Sequence, residues 1–197
     1  VPVESKYMGT WEAAQAAARD GKADMIFGIY YNDERATYLD YVQPAFTYDD
    51  VAVFVAKGKE FPFTDKNDLI GKKGVTNQGE SYGTEFDAFM KDKLDVARTD
   101  GIDDAFNDLL AGKADYLIAG YYPGLAEAAR AGIKDKVVPL DQALLSQEMF
   151  VAFSKKSPCR SLADKFGQQI TVMTTNGSYD KMVTDATTAW DAAQPKQ

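Results

Sequence analysis

The 197-residue sequence contains no histidine and only one cysteine. Those two absences exclude an internal disulfide, a Cys/His nucleophile pair and the common zinc ligand sets. No apolar run approaches the ~20 residues that a membrane-spanning helix needs. Positive charge is also scarce, with 22 Lys and Arg against 30 Asp and Glu and a formal charge of −8. That balance argues against a nucleic-acid partner, whose phosphates demand a basic face. The one local basic cluster, Gly71-Lys72-Lys73-Gly74, reads as a solvated turn. Cys159, between Pro158 and Arg160, reads as a helix-start residue rather than a nucleophile. At 45% hydrophobic content, the chain can bury one large core or two small ones.

What the chain does have is a repeated helix–turn–strand unit. Gly21-Lys22-Ala23-Asp24, followed by an apolar run ending in Tyr30-Tyr31, recurs as Gly112-Lys113-Ala114-Asp115 with a run ending in Tyr121-Tyr122. Each copy follows a helical segment, Trp11 to Arg19 in the first and Ile102 to Ala111 in the second. Downstream, Val51–Lys57 is weakly echoed by Met149–Lys155. Two copies are too few for a solenoid, so the pattern implies two similar α/β lobes facing each other.

The first copy carries the most chemistry. Met25 to Ile29 has the length and apolarity of a strand covered on both faces, and Asn32 with Asp33 and Glu34 forms an N-cap and an acidic first turn. Arg35 then lies just beyond the carboxyl end of a strand, where open α/β sheets bind ligands, and its planar fork suits a carboxylate. The alternative is an Arg paired with Asp33, Glu34 or Asp40 on a solvated helix.

In chain order, the expected elements begin with a short strand Val1–Glu4 and a helix over residues 10–19 capped by Thr10. Pro44 prevents helix in the lead-out to a strand over 51–56, and Phe61 to Thr64 reads as a crossing segment. In the second half Gly74–Thr76 begins a strand, and Gly79-Glu80-Ser81 is a strand-to-helix loop whose amides could meet an anion. A helix over 83–94, a strand over 95–98 and the second repeat follow. Pro123-Gly124 is read as an interruption before a helix over 125–131, with short strands at 137–140 and 149–153. The chain ends in two packing helices broken at Asn176-Gly177, with Trp190 read as a packing residue.

In order and spacing, these motifs resemble the periplasmic solute-binding proteins of polar amino-acid ABC transporters. The resemblance runs through the Trp11 helix, the Gly-Lys-Ala-Asp strand, Asn-Asp-Glu-Arg35, Pro44-Ala45-Phe46, Asp68-Leu69-Ile70-Gly71, Gly79-Glu80-Ser81 and the second Gly-Lys-Ala-Asp turn. It implies an α/β fold of the two-lobed periplasmic-binding type, each lobe a mixed sheet flanked by helices, joined by two hinge strands near Val51–Ala56 and Met149–Ser154. Residues 1–56 and 151–197 would form lobe I, and 57–150 lobe II. It further implies a non-enzymatic, cofactor-free periplasmic monomer that closes on a small carboxylate-bearing solute and delivers it to a membrane permease.

Carried over residue by residue, the resemblance implies that Arg35 grips the ligand carboxylate with help from Glu80 and Ser81. It also implies ligand contacts from the backbone near Gly28 and Tyr30. Asn32 at the cap, Gly120 and Tyr121 at the second strand end complete the candidate ligand-binding set. Because strand side chains alternate, one tyrosine of each pair is expected to face the cleft. Three departures set the ligand apart: the family's amine-binding acid falls on Gly120, the usual loop threonine falls on Glu80, and Asp24 to Arg35 is one residue short. Either Glu80 or another acid replaces the missing counter-charge, or the ligand has no α-amino group. The family's first strand and helix have no counterpart before Val1, so the sequence is expected to be a fragment. Two other readings use the same scaffold: a dehydratase or lyase with Arg35 as anchor and Glu80 as acid or base, and a sensory ligand-binding module.

Overall fold

Thr10 begins the first helix as expected. Its hydroxyl accepts from the Ala13 amide, and α1 (Trp11–Asp20) ends at Gly21, whose φ of 78° supplies the left-handed C-terminal turn. The structure, a computed structural model, describes residues 2–193, and the side chains of Thr187 and of residues 190–193, Trp190 among them, lie outside the described set. No strand forms over residues 2–4: Pro2 offers no amide donor and Val3 stands 69% exposed. Val1 itself is outside the described residues.

The remaining elements follow in alternation. They are β1 (Met25–Tyr30), α2 (Asp33–Ala36), β2 (Leu39–Tyr41), β3 (Thr47–Ala56), β4 (Lys73–Asn77), α3 (Thr84–Lys93), β5 (Asp95–Thr99), α4 (Ile102–Leu110), β6 (Tyr116–Gly120), α5 (Tyr121–Arg130), β7 (Val137–Pro139), β8 (Leu145–Ser154), α6 (Ala163–Thr175) and α7 (Ser178–Ala193). The strands form one sheet in the order β1-β8-β3-β6-β4-β5, with β2 on β8 and β7 on β3. Parallel pairing is confined to β4 with β5 and β6; the other pairs are antiparallel.

Two strands hold the halves together, each divided between partners. β8 pairs with β1 and β2 through residues 149–154 but with β3 through Leu145–Met149. β3 in turn pairs with β8 through Thr47–Val51, and with β6 and β7 through Val51–Ala56. The ribbon joining the halves is therefore Thr47–Val51 against Leu145–Met149, while Val51–Ala56 lies inside the second half. There, Val51, Val53 and Val55 face one buried cluster and Ala52 and Phe54 face another, as the two-residue strand period requires. Smaller clusters around Ile26, Ile29 and Ala152, and around Val42, Phe46 and Val151, form the core of the first half.

Both Gly-Lys-Ala-Asp copies turn from helix to strand on a left-handed glycine, Gly21 at φ 78° and Gly112 at φ 70°. Their aspartates reach onward alike: Asp24 accepts from the Ser157 hydroxyl at 2.6 Å and Asp115 from the Lys73 amide at 2.8 Å.

Three expectations need correction. β1 is not covered on both faces: Phe27 is 63% exposed and stacks on Phe46 at 4.4 Å. A bulge at Gly28, φ 80°, shifts its register against β8 between Phe27 and Ile29. Second, Tyr121 and Tyr122 do not end a strand but open α5. Third, that helix runs straight through Pro123 and Gly124. Proline is tolerated in a first turn whose amides have no intrahelical partner. Gly124 lets the helix approach β3, since a Cβ there would lie 2.5 Å from the Phe54 ring.

Candidate functional site

The Asn32 side chain caps α2 by accepting from the Arg35 amide at 2.7 Å, and this places the Arg35 guanidinium inside the protein, 2% exposed. Its Nε donates to Gln15 Oε1 at 2.9 Å, Nη1 to the Tyr30 carbonyl at 3.0 Å and Nη2 to the Gly79 carbonyl at 2.9 Å. Trp11 lies 5.7 Å beneath the guanidinium carbon. Of the five N–H groups of an arginine, two remain beyond these three bonds. The solvated-helix alternative does not hold, since Arg35 pairs with none of its neighbouring acids.

Arg35 thus ties the first half to the Gly79 loop of the second, and other bonds run beside it. Gln15 Nε2 also donates to the Gly79 carbonyl at 2.9 Å, Asn32 Nδ2 donates to Ser81 Oγ at 2.6 Å, and Thr84 Oγ1 donates to Asp33 at 3.1 Å. The loop presents a carbonyl to Arg35, and two of its amides are already engaged: Glu80 N with the Asn77 carbonyl and Tyr82 N with Asp87 Oδ1. Asp87 also accepts a short bond from the Ser81 hydroxyl. A carboxylate from α3 thus fills part of the anion position that the loop was expected to offer.

Four of the candidate residues, Asn32, Arg35, Glu80 and Ser81, line one cavity of about 610 Å³ between the two halves, within the size range of small-molecule sites. Its charged lining is mixed, with Arg19, Arg35, Lys91 and Arg98 against Glu12, Glu34, Glu80 and Asp87. Burial pushes the Glu80 carboxyl up to about 7, while Arg35 and Arg98 pull the other way.

The other four candidates lie elsewhere. Gly28 sits at the β1 bulge facing Met149. Tyr30 turns inward and its hydroxyl donates to Asp49 Oδ2 at 2.5 Å, beside Gly120, whereas Tyr31 turns outward against Tyr41. Tyr121 packs on the second-half core and against Tyr122, which is exposed.

This arrangement of two α/β halves around a polar cavity has a family match. Residues 1–186 match the bacterial extracellular solute-binding proteins, family 3. The chain belongs to that family. No curated protein matches it.

Several solved structures share the fold of this solute-binding protein. An amino-acid ABC transporter substrate-binding protein from Streptococcus pneumoniae, bound to L-arginine, is 20% identical with a TM-score of 0.74, over 95% of this chain and 76% of that one. A mutant of the arginine-binding protein from T. maritima is 21% identical with a TM-score of 0.70, over 88% and 73%. A histidine kinase sensor domain similar to periplasmic binding proteins is 22% identical with a TM-score of 0.72, over 90% and 75%. The family and the transporter-associated neighbours are binding proteins, and a dehydratase or lyase finds no support among them. Among the described residues no helix of this solute-binding protein is long and apolar enough to cross a membrane.

Two residues of its interlobe contacts escaped the sequence reading although each left a trace. Gln15 is the one polar member of the stripe Trp11, Gln15, Ala18 on an alanine-rich helix. Asp49 shares the strand face of Val51, Val53 and Val55, so the two-residue period already pointed it inward.

Proposed function

We propose that this protein captures a small carboxylate-bearing solute of the amino-acid class between its two lobes and presents it, in the periplasm, to an ABC transporter permease. The observation that carries the reading is the convergence of Asn32, Arg35, Glu80 and Ser81, two from each half, on one cavity of about 610 Å³. A lining that mixes both charge signs suits a zwitterion better than a simple acid or amine, because each end of the ligand meets an opposite charge as it leaves water. The two free N–H groups of Arg35 are the anchor for the carboxylate. Bending takes place in the ribbon Thr47–Val51 and Leu145–Met149, through which β3 and β8 pair with each other between the halves, and it converts occupancy into a shape a permease can read.

A thermal-shift screen against amino acids, amines and small organic acids tests this directly. A ligand at a hundredfold excess over its dissociation constant adds about 2.7 kcal/mol of stability. The expected hit is an amino acid whose stabilisation is lost in Ser81→Ala or Arg35→Lys. A folded protein silent to every amino acid and small carboxylate contradicts the proposal.

A further inference from the structure

A second cavity, of about 770 Å³, opens beside the ribbon that joins the halves, and none of its lining residues lines the Arg35 cavity. None of the eight residues expected from the sequence to touch the solute lines it either. Its walls come from Tyr31 and Asp33 of the first half, Thr84 and Glu85 of the second, and Tyr48 and Glu148 of the ribbon itself. Tyr31 and Asp33 flank Asn32 in the chain and Tyr82 follows Ser81, so the Asn32–Ser81 bond stands between the two cavities. The ribbon is tied to the second half at this point, since Gln147 Nε2 donates to the Tyr82 carbonyl at 2.8 Å. A Cβ at Gly83 would lie 2.9 Å from that nitrogen, and the glycine leaves room for the tie.

Two tyrosine–carboxylate pairs supply its chemistry. Tyr48 and Glu148 face each other across the β3–β8 ladder, and the tyrosine hydroxyl donates to Glu148 Oε1 at 3.2 Å. The Tyr31 hydroxyl donates to Asp33 Oδ1 at 3.3 Å, and Thr84 Oγ1 donates to Asp33 Oδ2 at 3.1 Å. Both rings keep open faces, Tyr31 at 44% exposure and Tyr48 at 66%, and Tyr31 is steadied by the Tyr41 ring 5.1 Å away. Hydroxyls orient a carboxylate without neutralising it, and none of the ion pairs among the described residues includes Asp33 or Glu148. The remaining charges of the cavity offset each other: Lys66 Nζ pairs with Glu85 at 3.2 Å and lies 4.8 Å from the Phe89 ring centre. The cavity is therefore left with the negative charge of Asp33 and Glu148.

Open ring faces beside unneutralised carboxylates hold a cation with an apolar body, through cation–π attraction and charge together. Among the described residues no group of three or more His, Cys, Asp or Glu side chains is placed to hold a metal ion, so the charge suits an organic cation rather than a metal. We propose that this cavity is a second ligand site, for a small substituted ammonium ion carried on an aromatic or aliphatic body. Tyr31 and Tyr48 supply the ring faces, and Asp33 and Glu148 supply the charge. Because the walls come from both halves and from the ribbon between them, a cation seated there favours the arrangement of the halves in which these four side chains meet. The site stands apart from the solute proposed for the Arg35 cavity and does not depend on it.

The test is isothermal titration of the full chain with benzyltrimethylammonium and phenethylammonium chloride, with phenylacetate and benzyl alcohol as the anionic and neutral ring controls. The variants are Tyr48→Leu, Glu148→Gln and Glu12→Gln, all at exposed positions, the last altering an acid of the Arg35 cavity. Thermal unfolding of each serves as the folding control. The expected result is that at least one of the two ammonium ions binds wild type at least tenfold more tightly than either control. Tyr48→Leu and Glu148→Gln should each weaken that binding at least fivefold, while Glu12→Gln changes it less than twofold. Folded wild type that shows no saturable binding of either cation overturns the proposal, and so does benzyl alcohol bound as tightly as the cations. Cation binding that survives both ribbon substitutions, or that Glu12→Gln weakens as much as they do, places the cation elsewhere and overturns it as well.

Discussion

Asn32 Nδ2 donates to Ser81 Oγ at 2.6 Å, joining the cap of α2 to the loop before α3 across 49 residues of sequence. The same Asn32 side chain caps α2 through its Oδ1, so one residue both shapes the short helix that presents Arg35 and holds the opposing loop. The residues that define the cavity are therefore bonded to each other across it.

Asn32→Ala removes the cap and the bridge together, whereas Ser81→Ala removes the bridge and leaves the cap. The alanine at 32 should cost about 2–3 kcal/mol, from a lost cap of about 1 kcal/mol plus the orphaned partners. Ser81→Ala should cost less. Urea unfolding of the two variants gives the order, and equal losses would show that capping contributes nothing at this site.

Gly120 and Asp49 should be coupled. Gly120→Ala is expected to destabilise by about 1–3 kcal/mol through overpacking, since its φ of −56° is open to any residue while Asp49 Oδ2 at 2.5 Å, Tyr30 Oη at 2.9 Å and, less tightly, Pro123 Cδ at 3.2 Å obstruct the methyl. In the background of Asp49→Ala the same substitution should cost less than half as much. A double-mutant cycle on unfolding free energies reads the coupling, and additive losses would mean that the collision is relieved elsewhere.

Much of this architecture could be read from residues that act locally. Thr10 and Asn32 cap the helices they precede, and both Gly-Lys-Ala-Asp segments turn from helix to strand, because capping and left-handed glycine are decided within a few residues. Arg35, Glu80 and Ser81 line one cavity, since spacing within a strand–turn–helix unit fixes which side chains reach the crevice. What spacing could not supply was who meets whom across the halves. Gln15 and Arg35 on the Gly79 carbonyl, Asn32 on Ser81 and Asp49 beside Gly120 are pairings between residues 44 to 71 apart in sequence. The α5 error has a local cause: Pro123 was read as a break because proline disrupts helix interiors, but only three residues in, no amide is lost. The exposure of Phe27 depends on the bulge at Gly28 and on the Phe46 ring arriving from another segment, neither of which alternation reveals.

Stability should rise as pH falls from 8 towards 5. Glu80 titrates near 7 in the folded protein, above the ~4.3 of an unfolded glutamate. Between those two values the native state binds the proton that the unfolded chain releases, so raising pH through this window destabilises, and above it the penalty is constant. Asp49 is shifted in the same direction. Glu80→Gln should therefore raise Tm at pH 8 and have little effect at pH 4. A variant equally shifted at both values would place the cause in packing rather than in charge.

Arg35→Lys separates the structural from the binding role of the guanidinium. A single ammonium cannot serve Gln15, the Tyr30 carbonyl and the Gly79 carbonyl at once, so at least one buried acceptor loses its donor, at a cost of about 1–3 kcal/mol. Gln15→Ala provides the contrast, because it frees Nε yet leaves Nη1 and Nη2 on their carbonyls. We expect the glutamine variant to lose stability with solute affinity reduced less than threefold, and the lysine variant to lose both, with affinity down at least tenfold. Urea unfolding and calorimetric titration on the same preparations decide it. Should Arg35→Lys unfold earlier but bind as wild type does, the guanidinium is a brace between the lobes and the carboxylate anchor must be sought among Arg19, Lys91 and Arg98 of the same cavity.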